Sequence, residues 1–457
     1  MRSVVRRAAA AVALALGLGT WAPFAAAVPV PAAEPVDLGG QPVVSSTDPR
    51  EPTPLEPGLW TVSLGPESQA QFFTYERQIE DSTVHIGAIG APAGPDGEGL
   101  ELTATVAATE GTEPVDCGTD QSSTDSSAPY GLVGAQVIAG DEEDHTTNTP
   151  CRSADTVELR LARYSGYNSV DLPVAIKIVE EAPVSSAEEP PESEELDYQV
   201  PDPTDPASTP AGAPSFDEAP VVDAHDGPVT LDTTIAEGTE LLWRVPLEWG
   251  DRLVARADLP GLPEGEAEEL GSPSVYLKLA IIQPSRDAFV LTRDDDSSYG
   301  YYGTPEGSGL VAGTYPLRYT NRYSSDVDPV LPGDHWVSVT AAAAPEERAA
   351  LDVPIQLTFQ VTGSDATPPT YKGAVLAQGG GDGPEGYSPE TPFLVGDGEF
   401  SAVASGNPFT PEGEDGEGWW GLRRGVGLGL GVVSLACCAA GGVWLTRRLS
   451  SRAATSR

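Results

Sequence analysis

Short runs in which apolar and polar residues alternate cover most of the chain, and this period of two is typical of β-strands with one buried face. Seven such runs lie within residues 50–182 and seven within residues 222–363. The first set is LWTVSL, AQFFTYERQ, STVHIGAIG, LELTATVAA, LVGAQVIAG, TVELRLARY and VAIKIVE. The second set is PVTLDT, TELLWRVPL, DRLVARADL, VYLKLAIIQ, TYPLRYTN, HWVSVTA and PIQLTFQV. The pattern predicts a mostly β protein with two β-sandwich domains of the jelly-roll or immunoglobulin-like kind.

The two sets follow a similar order, which indicates one domain type present twice. The runs at 171–181 and 352–362 both open with Asp, an apolar residue and Pro. Gly-Leu-Val recurs at 131–133 and 309–311, and the changing offset fits loops of unequal length. Two unrelated seven-strand domains would give the same counts, but the matched positions favour duplication. The early proline fits the start of a strand or an edge strand.

Regions rich in Pro, Gly and acidic residues border these domains. Residues 183–221 carry ten acidic and no basic residues, so we expect an extended, solvated linker that keeps the two domains apart. Residues 364–418 predict a Gly/Pro/acidic stalk, although the apolar run PFLVGDGEFSAVA inside it is also suited to local docking. Residues 28–49 are an N-terminal extension ahead of the first domain.

Both ends of the chain have the pattern of targeting segments. Residues 1–27 combine three arginines, an apolar core and a final AAA, which is the pattern of a cleaved signal peptide. Residues 425–446 hold no charge and give about 33 Å of helix, enough to cross a bilayer. The basic tail at 447–457 then predicts a single-pass protein of the cell membrane, with an extracellular ectodomain and a cytoplasmic tail.

Small residues recur along one face of the predicted transmembrane helix. They are Gly427, Gly431, Ser434, Cys438 and Gly442. Such a face allows two helices to approach closely, which would suit a subunit of a membrane complex. A Gly-rich segment also produces this spacing by chance, so both interpretations stay open.

The charge of the exported part limits the partners it can have. Residues 28–422 hold 16 basic and all 69 acidic residues, a net charge of −53. Nucleic acid and anionic lipid repel so acidic a segment, so we expect no nucleic-acid partner. The same segment has two cysteines, Cys117 and Cys151, and an oxidising compartment favours a disulfide between them.

Catalytic signatures of hydrolases, kinases, P-loop proteins and zincins are absent from the sequence. Of the four histidines, His85 and His335 lie on predicted strands, where a structural role is the commoner one. His225 is assigned to linker sequence and His145 to an exposed acidic loop beside Cys151. A triad assembled from distant residues remains the enzymatic alternative.

The loop RDDDSSYGYYG at 293–303 is the one stretch whose composition suits a ligand. Clustered carboxylates and hydroxyls are oxygens of the kind that Ca²⁺ accepts, although the spacing fits no EF-hand. A solvated acidic loop is the simpler interpretation, and its aromatic content favours a recognition loop. The candidate residues are Asp294, Asp295, Asp296, Tyr299, Tyr301 and Tyr302.

The segments EWGDRLVARADL, VYLKLAIIQ, LPGDHWVSVTA and PIQLTFQV resemble the bacterial pre-peptidase C-terminal domain. In that family a Gly-Asp pair precedes an early strand, and a late Gly precedes a Tyr-x-Val-x-Val strand. Trp336 takes the place of the Tyr in the second domain and Val157 in the first. The resemblance implies a β-sandwich attached to extracellular proteins and no catalytic residues. The low lysine content, three against 22 arginines, is typical of high-GC genomes such as those of actinobacteria.

These observations favour a non-catalytic surface protein that is exported and anchored once in the membrane. Its paired β-sandwiches would bind an envelope protein or polymer, or space another surface component, without a resident cofactor. Two alternatives stay open: a subunit of a membrane complex that associates through its anchor, and a cell-envelope hydrolase with an unrecognised triad.

Overall fold

The computed structural model describes most of residues 35–401. The described ranges are 35–65, 69–93, 97–107, 113–140, 150–165, 170–186, 196–206, 211–270, 274–289, 291–323, 329–345, 348–364, 367–373, 392–396 and 399–401. The predicted signal peptide, His145, the transmembrane segment with its small-residue face (Gly427, Gly431, Ser434, Cys438 and Gly442), and the basic tail lie outside these ranges. Within them, no helix has the length and apolarity needed to span a membrane.

The protein is mostly β, as the sequence predicted, and its strands form β-sandwich layers. Domain 1 contains β1 (Gln41–Pro42), β2 (Thr53–Leu55), β3 (Gly58–Leu64), β4 (Gln71–Glu76), β5 (Thr83–Gly90), β6 (Gly99–Val106), β7 (Val115–Ser123), β8 (Val133–Ala139), the helical turn α1 (Pro150–Ser153), β9 (Thr156–Ser165) and β10 (Leu172–Glu181).

Domain 2 follows after a short strand, β11 (Val184–Ser186), in the linker. It contains β12 (Val229–Ala236), β13 (Glu240–Leu247), β14 (Asp251–Leu259), α2 (Glu264–Leu270), β15 (Val275–Ile282), β16 (Ala288–Phe289), β17 (Tyr299–Tyr302), β18 (Ser308–Gly313), a 3₁₀ helix (Tyr319–Tyr323), β19 (Gly333–Ala341) and β20 (Asp352–Gly363). The last described strands are β21 (Thr370–Tyr371), β22 (Phe393–Gly396) and β23 (Glu399–Ser401).

The two domains share one strand order. In domain 1, sheet I runs β8-β5-β10-β3-β1 and sheet II runs β2-β4-β9-β6-β7. In domain 2, sheet III runs β12-β20-β14-β18, and sheet IV runs β13-β19-β15 with β16 and β17 along the far side of β15. Strands β3, β10, β5 and β8 therefore correspond in order to β12, β20, β14 and β18, which is the arrangement that a repeated domain would give.

Alternation along these strands supplies one core for each domain. Phe73, Ile86, Leu102 and Ile176 are among the residues buried between sheets I and II. Trp243, Leu279, Val337 and Phe359 are among those between sheets III and IV. Burial of apolar area at about 25 cal/mol per Å² makes these two cores the main source of stability.

The strand prediction was wrong for one run, and it missed β7. The run TYPLRYTN contains no strand and ends in the 3₁₀ helix, whereas Gly-Leu-Val at 309–311 lies within β18. The early prolines mark the start of a strand, which is one of the two positions predicted for them. Pro173 and Pro354 lie near the start of β10 and β20, and these are not edge strands because each pairs on both sides.

The disulfide between Cys117 and Cys151 is present, as predicted. It joins β7 to α1 across 34 residues of sequence, with the two Cα atoms 5.6 Å apart. In the chain-entropy model, closing a loop of this length stabilises the fold by about 3–4 kcal/mol.

The domains lie face to face, with sheet I of domain 1 on sheet IV of domain 2. A third buried cluster fills this interface. Sheet I contributes Leu59, Ile89 and Ala175, and sheet IV contributes Leu242, Ile282 and Trp336. As a consequence both faces of β10 are buried over most of its length.

The β15–β16 hairpin brings the two backbones unusually close. A Cβ built on Gly87 of β5 would lie 1.7 Å from the carbonyl oxygen of Ser285 in that hairpin. A Cβ on Gly134 of β8 would lie 2.7 Å from the backbone nitrogen of Ala288. Neither glycine has a positive φ, so space and not backbone conformation requires glycine at both positions.

The described parts of the linker that was expected to be solvated, residues 183–186, 196–206 and 211–221, pack into this structure instead. Phe216 and Ala219 belong to the interface cluster, beside Val36 and Leu38 of the N-terminal extension. Tyr198 is buried against domain 2 in a separate small cluster. The described parts of residues 183–221 therefore fasten the domains together, because their scattered apolar side chains find buried sites among the acidic ones.

The expected stalk also begins with ordered contacts. β21 pairs with β11, and β22 adds to sheet I by pairing with the end of β10. Phe393, Leu394 and Val395 are all buried. The local docking suggested by the apolar run is therefore confirmed for Phe393–Gly396.

A buried ion cluster joins domain 1, domain 2 and β21. The Glu181 carboxylate accepts hydrogen bonds from Arg322 (2.5 Å), from the Tyr371 hydroxyl (2.8 Å) and from His85 Nε2 (2.8 Å). Burial alone would raise the pKa of Glu181, but Arg322 and His85 hold it at about 2. Breaking such a pair by removing one partner would cost about 3–5 kcal/mol.

Two further cations lie in the interface without a hydrogen-bond partner among the described residues. The Arg286 guanidinium lies between two rings, with its Cζ 3.7 Å from the centroid of Phe216 and 4.5 Å from that of Trp336. Lys177 of β10 is fully buried, and its Nζ has no partner. Burial, together with the nearby Arg286, lowers the pKa of Lys177 to about 7.

We predict that Gly87→Ala loosens the docking of the two domains. The new methyl group would collide with the Ser285 backbone, which cannot rotate away, so we expect a loss of about 1–3 kcal/mol. Urea unfolding and limited proteolysis of residues 196–221 in the full chain would measure it. Gly373→Ala is the matched control because its Cβ meets no atom within 4 Å. Equal protease resistance of the two variants would contradict the prediction.

We also predict that stability rises with pH above 7 because of Lys177. Its folded pKa of about 7 lies below the unfolded value of about 10.4, so the unfolded state binds more protons between these values. The contribution approaches about 1.4 kcal/mol per pH unit. Urea unfolding of the wild type and Lys177→Met between pH 7 and 9 should show a shallower slope in the variant. Parallel curves would show that Lys177 does not titrate there.

Candidate functional site

Where domain 1 stops covering sheet IV, a groove remains along the edge of the interface. Its floor is the outer face of β15 and β17, and its wall is the β7–β8 connection of domain 1. Tyr276 and Lys278 lie on the same face of β15 as Ile282, which the interface buries. Because side chains alternate between the two faces of a strand, the face of β15 that is buried in the interface continues into the groove.

Three tyrosines form the open end of this floor. In the register of β15 and β17, Tyr276 is opposite Tyr301 and Lys278 is opposite Tyr299. The Tyr276 ring stacks on Tyr299 (centroids 5.8 Å apart) and meets Tyr301 edge to face (5.6 Å). Tyr276 is buried, whereas the side chains of Tyr299 and Tyr301 are 52% and 45% exposed. The rings of Tyr299 and Tyr301 therefore pack on the buried Tyr276 and are accessible to solvent.

The inner end of the groove is a crevice with room for about one water molecule. The buried Glu240 carboxylate accepts a hydrogen bond from the Leu132 backbone N–H (2.9 Å) and another from the Ser338 hydroxyl. Burial raises the pKa of Glu240 above its ordinary value, against the effect of these donors. Glu240 thus ties the domain 1 wall to sheet IV.

Asp125 connects the wall to the tyrosines. Its carboxylate accepts hydrogen bonds from the Tyr276 hydroxyl (2.8 Å) and the Ser127 backbone N–H (2.7 Å). Partial burial would raise the pKa of Asp125, but these hydrogen bonds lower it, so the carboxylate stays ionised near neutral pH. The Lys278 ammonium is attracted to both Asp125 and Glu240 but donates no direct hydrogen bond within the described structure. Its donors are available to water or to a ligand.

The three aspartates in the acidic half of the 293–303 loop are not gathered into one cluster. Asp294 and Asp295 are exposed, and Asp296 pairs with Arg293 at 2.8 Å. The part of the chain that the structure describes has no group of three or more His, Cys, Asp or Glu placed to hold a metal ion. Backbone bonds from Leu279 and Val311 to Ser298 and Ser297 hold the loop against β15 and β18.

The aromatic half of the loop divides between two faces. Tyr299 and Tyr301 belong to the groove, whereas Tyr302 points the other way and packs against the core of domain 2. Sequence reasoning therefore located two of the ring positions. It missed Tyr276, Lys278 and Glu240, which come together only through the strand pairing of sheet IV, and Asp125, which reaches them only when the two domains dock.

The described histidines take structural positions. His85 is buried in the Glu181 cluster. His335 is buried too, and its Nδ1 lies 2.9 Å from the Gly333 carbonyl oxygen; burial lowers its pKa to about 4. His225 lies between Asp223 and Asp251, which raise its pKa although burial opposes them. The crevice contains Ser338 but is lined by none of these three rings.

Comparison with known proteins finds no matching family model and no matching curated protein. Distantly similar solved structures include the PliG periplasmic inhibitor of g-type lysozyme from Aeromonas hydrophila (12% identity, 32% of this chain, 98% of that chain, TM-score 0.17). Another is the N-terminal CBM22 tandem domain of Paenibacillus barcinonensis Xyn10C (10% identity, 65% of this chain, 84% of that chain, TM-score 0.18). A third is PNGase F, a glycosylasparaginase from Flavobacterium meningosepticum (8% identity, 69% of this chain, 99% of that chain, TM-score 0.18). TM-scores this low carry no argument about this chain.

We predict that Glu240→Ala loosens the wall of the groove. The substitution leaves the Leu132 N–H and the Ser338 hydroxyl without an acceptor in a buried place, which costs about 1–3 kcal/mol. Glu240→Gln is the matched control because it keeps one acceptor oxygen and the same shape. Urea unfolding, with proteolysis of the 125–132 connection, should rank wild type, Gln and Ala in falling order. The prediction would be wrong if Ala were as resistant as Gln.

Proposed function

We propose that this protein recognises a component of the cell envelope through the tyrosine groove, which we define as Tyr276, Tyr299, Tyr301, Lys278 and Asp125. The protein would be exported by its N-terminal signal peptide and held at the cell membrane by one C-terminal helix. Its two β-sandwiches would present the groove outside the cell and would perform no catalysis.

The exposed pair Tyr299 and Tyr301 is the observation that carries this proposal. Five large apolar side chains are exposed among the described residues, and only these two lie together, on a strand that pairs with β15. Rigid aromatic rings with polar groups beside them are typical of binding sites, because they bury area at little cost in conformational entropy. A site at the junction of two domains is also a common position for a ligand.

The sequence supports the remaining parts of the proposal. The net charge of −53 on residues 28–422 keeps the ectodomain soluble and disfavours nucleic acid as a partner. The resemblance to pre-peptidase C-terminal domains implies an accessory sandwich of extracellular proteins, and we propose that kinship for both domains. Assignment of the sandwiches to the jelly-roll or immunoglobulin-like class is part of the same proposal.

A photo-cross-linking residue in place of Tyr301 tests the proposal in intact cells that carry the full chain. We expect cross-links from this position to one defined envelope component. The same residue in place of Val170, which is 52% exposed and lies in domain 1, is the matched control and should give no such product. Absence of a product from position 301, or the same product from both positions, would contradict recognition at the groove.

A further inference from the structure

We propose that the ligand of the tyrosine groove is a neutral carbohydrate chain. This inference rests on the proposed function and adds the chemical class of the ligand. It depends on three features of the groove: the exposed rings, the mixture of charges beside them, and the small apolar area that they offer.

The rings supply the apolar contact that a sugar needs. One side of a pyranose ring presents C–H groups, which are slightly positive and pack on the negative face of an aromatic ring. Tyr299 and Tyr301 are two residues apart on β17 and lie on one face of the sheet, with Tyr276 beneath them. A chain of sugar units lying along the strand would contact both rings.

The charges beside the rings favour a ligand without charge of its own. Lys278 is directly opposite Tyr299, and Asp125 accepts the hydroxyl of Tyr276. An anionic ligand would meet Asp125 and the strongly acidic surface, whereas a cationic one would meet the Lys278 ammonium. Sugar hydroxyls both donate and accept hydrogen bonds, so one chain can donate to Asp125 and accept from Lys278.

The size of the patch disfavours a folded protein as the main occupant. A stable protein interface buries at least about 1,000 Å² around an apolar centre. Here the exposed apolar side chains of the groove are two rings, and the other exposed ones, Val44, Val170 and Val221, lie elsewhere. Two rings with flanking polar groups match the smaller contact that a carbohydrate chain makes.

Affinity electrophoresis of the full chain in nonionic detergent tests the proposal. The gels contain neutral polysaccharides (xylan, mannan, arabinogalactan, β-glucan) or the acidic polymer polygalacturonate. We expect at least one neutral polymer, and not polygalacturonate, to retard the protein. Tyr299→Ala combined with Tyr301→Ala should weaken that binding at least about tenfold. Tyr299→Phe combined with Tyr301→Phe should stay within about threefold of wild type, because the ring faces remain.

Two further variants keep the test independent of folding. Val170→Ala, at an equally exposed position outside the groove, should bind as wild type does. Lys278→Met should weaken binding while the rings stay in place. Equal retardation of wild type and the double alanine variant, or retardation by polygalacturonate alone, would overturn the carbohydrate proposal. If no polysaccharide binds while cross-links from position 301 to a protein persist, the carbohydrate proposal fails and recognition at the groove stands.

Discussion

Close approach of the β15–β16 hairpin to sheet I is the constraint on which the rest of the structure depends. Ser285 lies over Gly87 and Ala288 over Gly134, so domain 2 reaches the backbone of domain 1 without side chains between them. The approach brings Arg286 between Phe216 and Trp336, and it sets the distance at which Glu181 meets Arg322. Because Gly87 and Gly134 leave room for the hairpin, the two sandwiches pack directly against each other.

Electrostatics in this interface gives specificity more than stability. Burial of Arg286 and Lys177 costs the free energy of their hydration. No hydrogen bond to the described residues offsets that cost. The Arg286 guanidinium gains cation–π contacts and attraction from Asp37, Asp217 and Asp334, which oppose the lowering of its pKa by burial. Because Arg286 has these contacts only in the observed docking, we expect it to disfavour other arrangements of the two domains. Apolar burial supplies the driving force.

Local patterns predicted most of the strands and the disulfide, because each depends on neighbours in sequence or on a simple count. The docking was not predicted, because alternation reports one buried face and both faces of β10 are buried. Two runs did indicate burial on both faces, because apolar or small residues occupy the odd as well as the even positions of STVHIGAIG and VAIKIVE. The prediction of a solvated linker was wrong because it rested on the ten acidic residues of 183–221. The two buried rings, Tyr198 and Phe216, determine where the linker lies. Tyr276 and Lys278 join Tyr299 and Tyr301 through the pairing of β15 with β17, which the runs of the sequence do not reveal. Only Asp125 depends on the docking of the two domains.

The unequal use of the two repeats explains why a groove exists at all. Domain 1 docks through sheet I, whereas domain 2 docks through sheet IV, so the contact joins non-equivalent faces of related domains. Sheet IV extends sideways through β17, which has no counterpart opposite it in sheet I, and its outer rings therefore stay uncovered. The Glu240 and Asp125 hydrogen bonds hold the wall and floor together before any ligand arrives. Binding of the proposed ligand to such a pre-organised site would lose little entropy to ordering of the protein, so a small contact of two rings would give useful affinity.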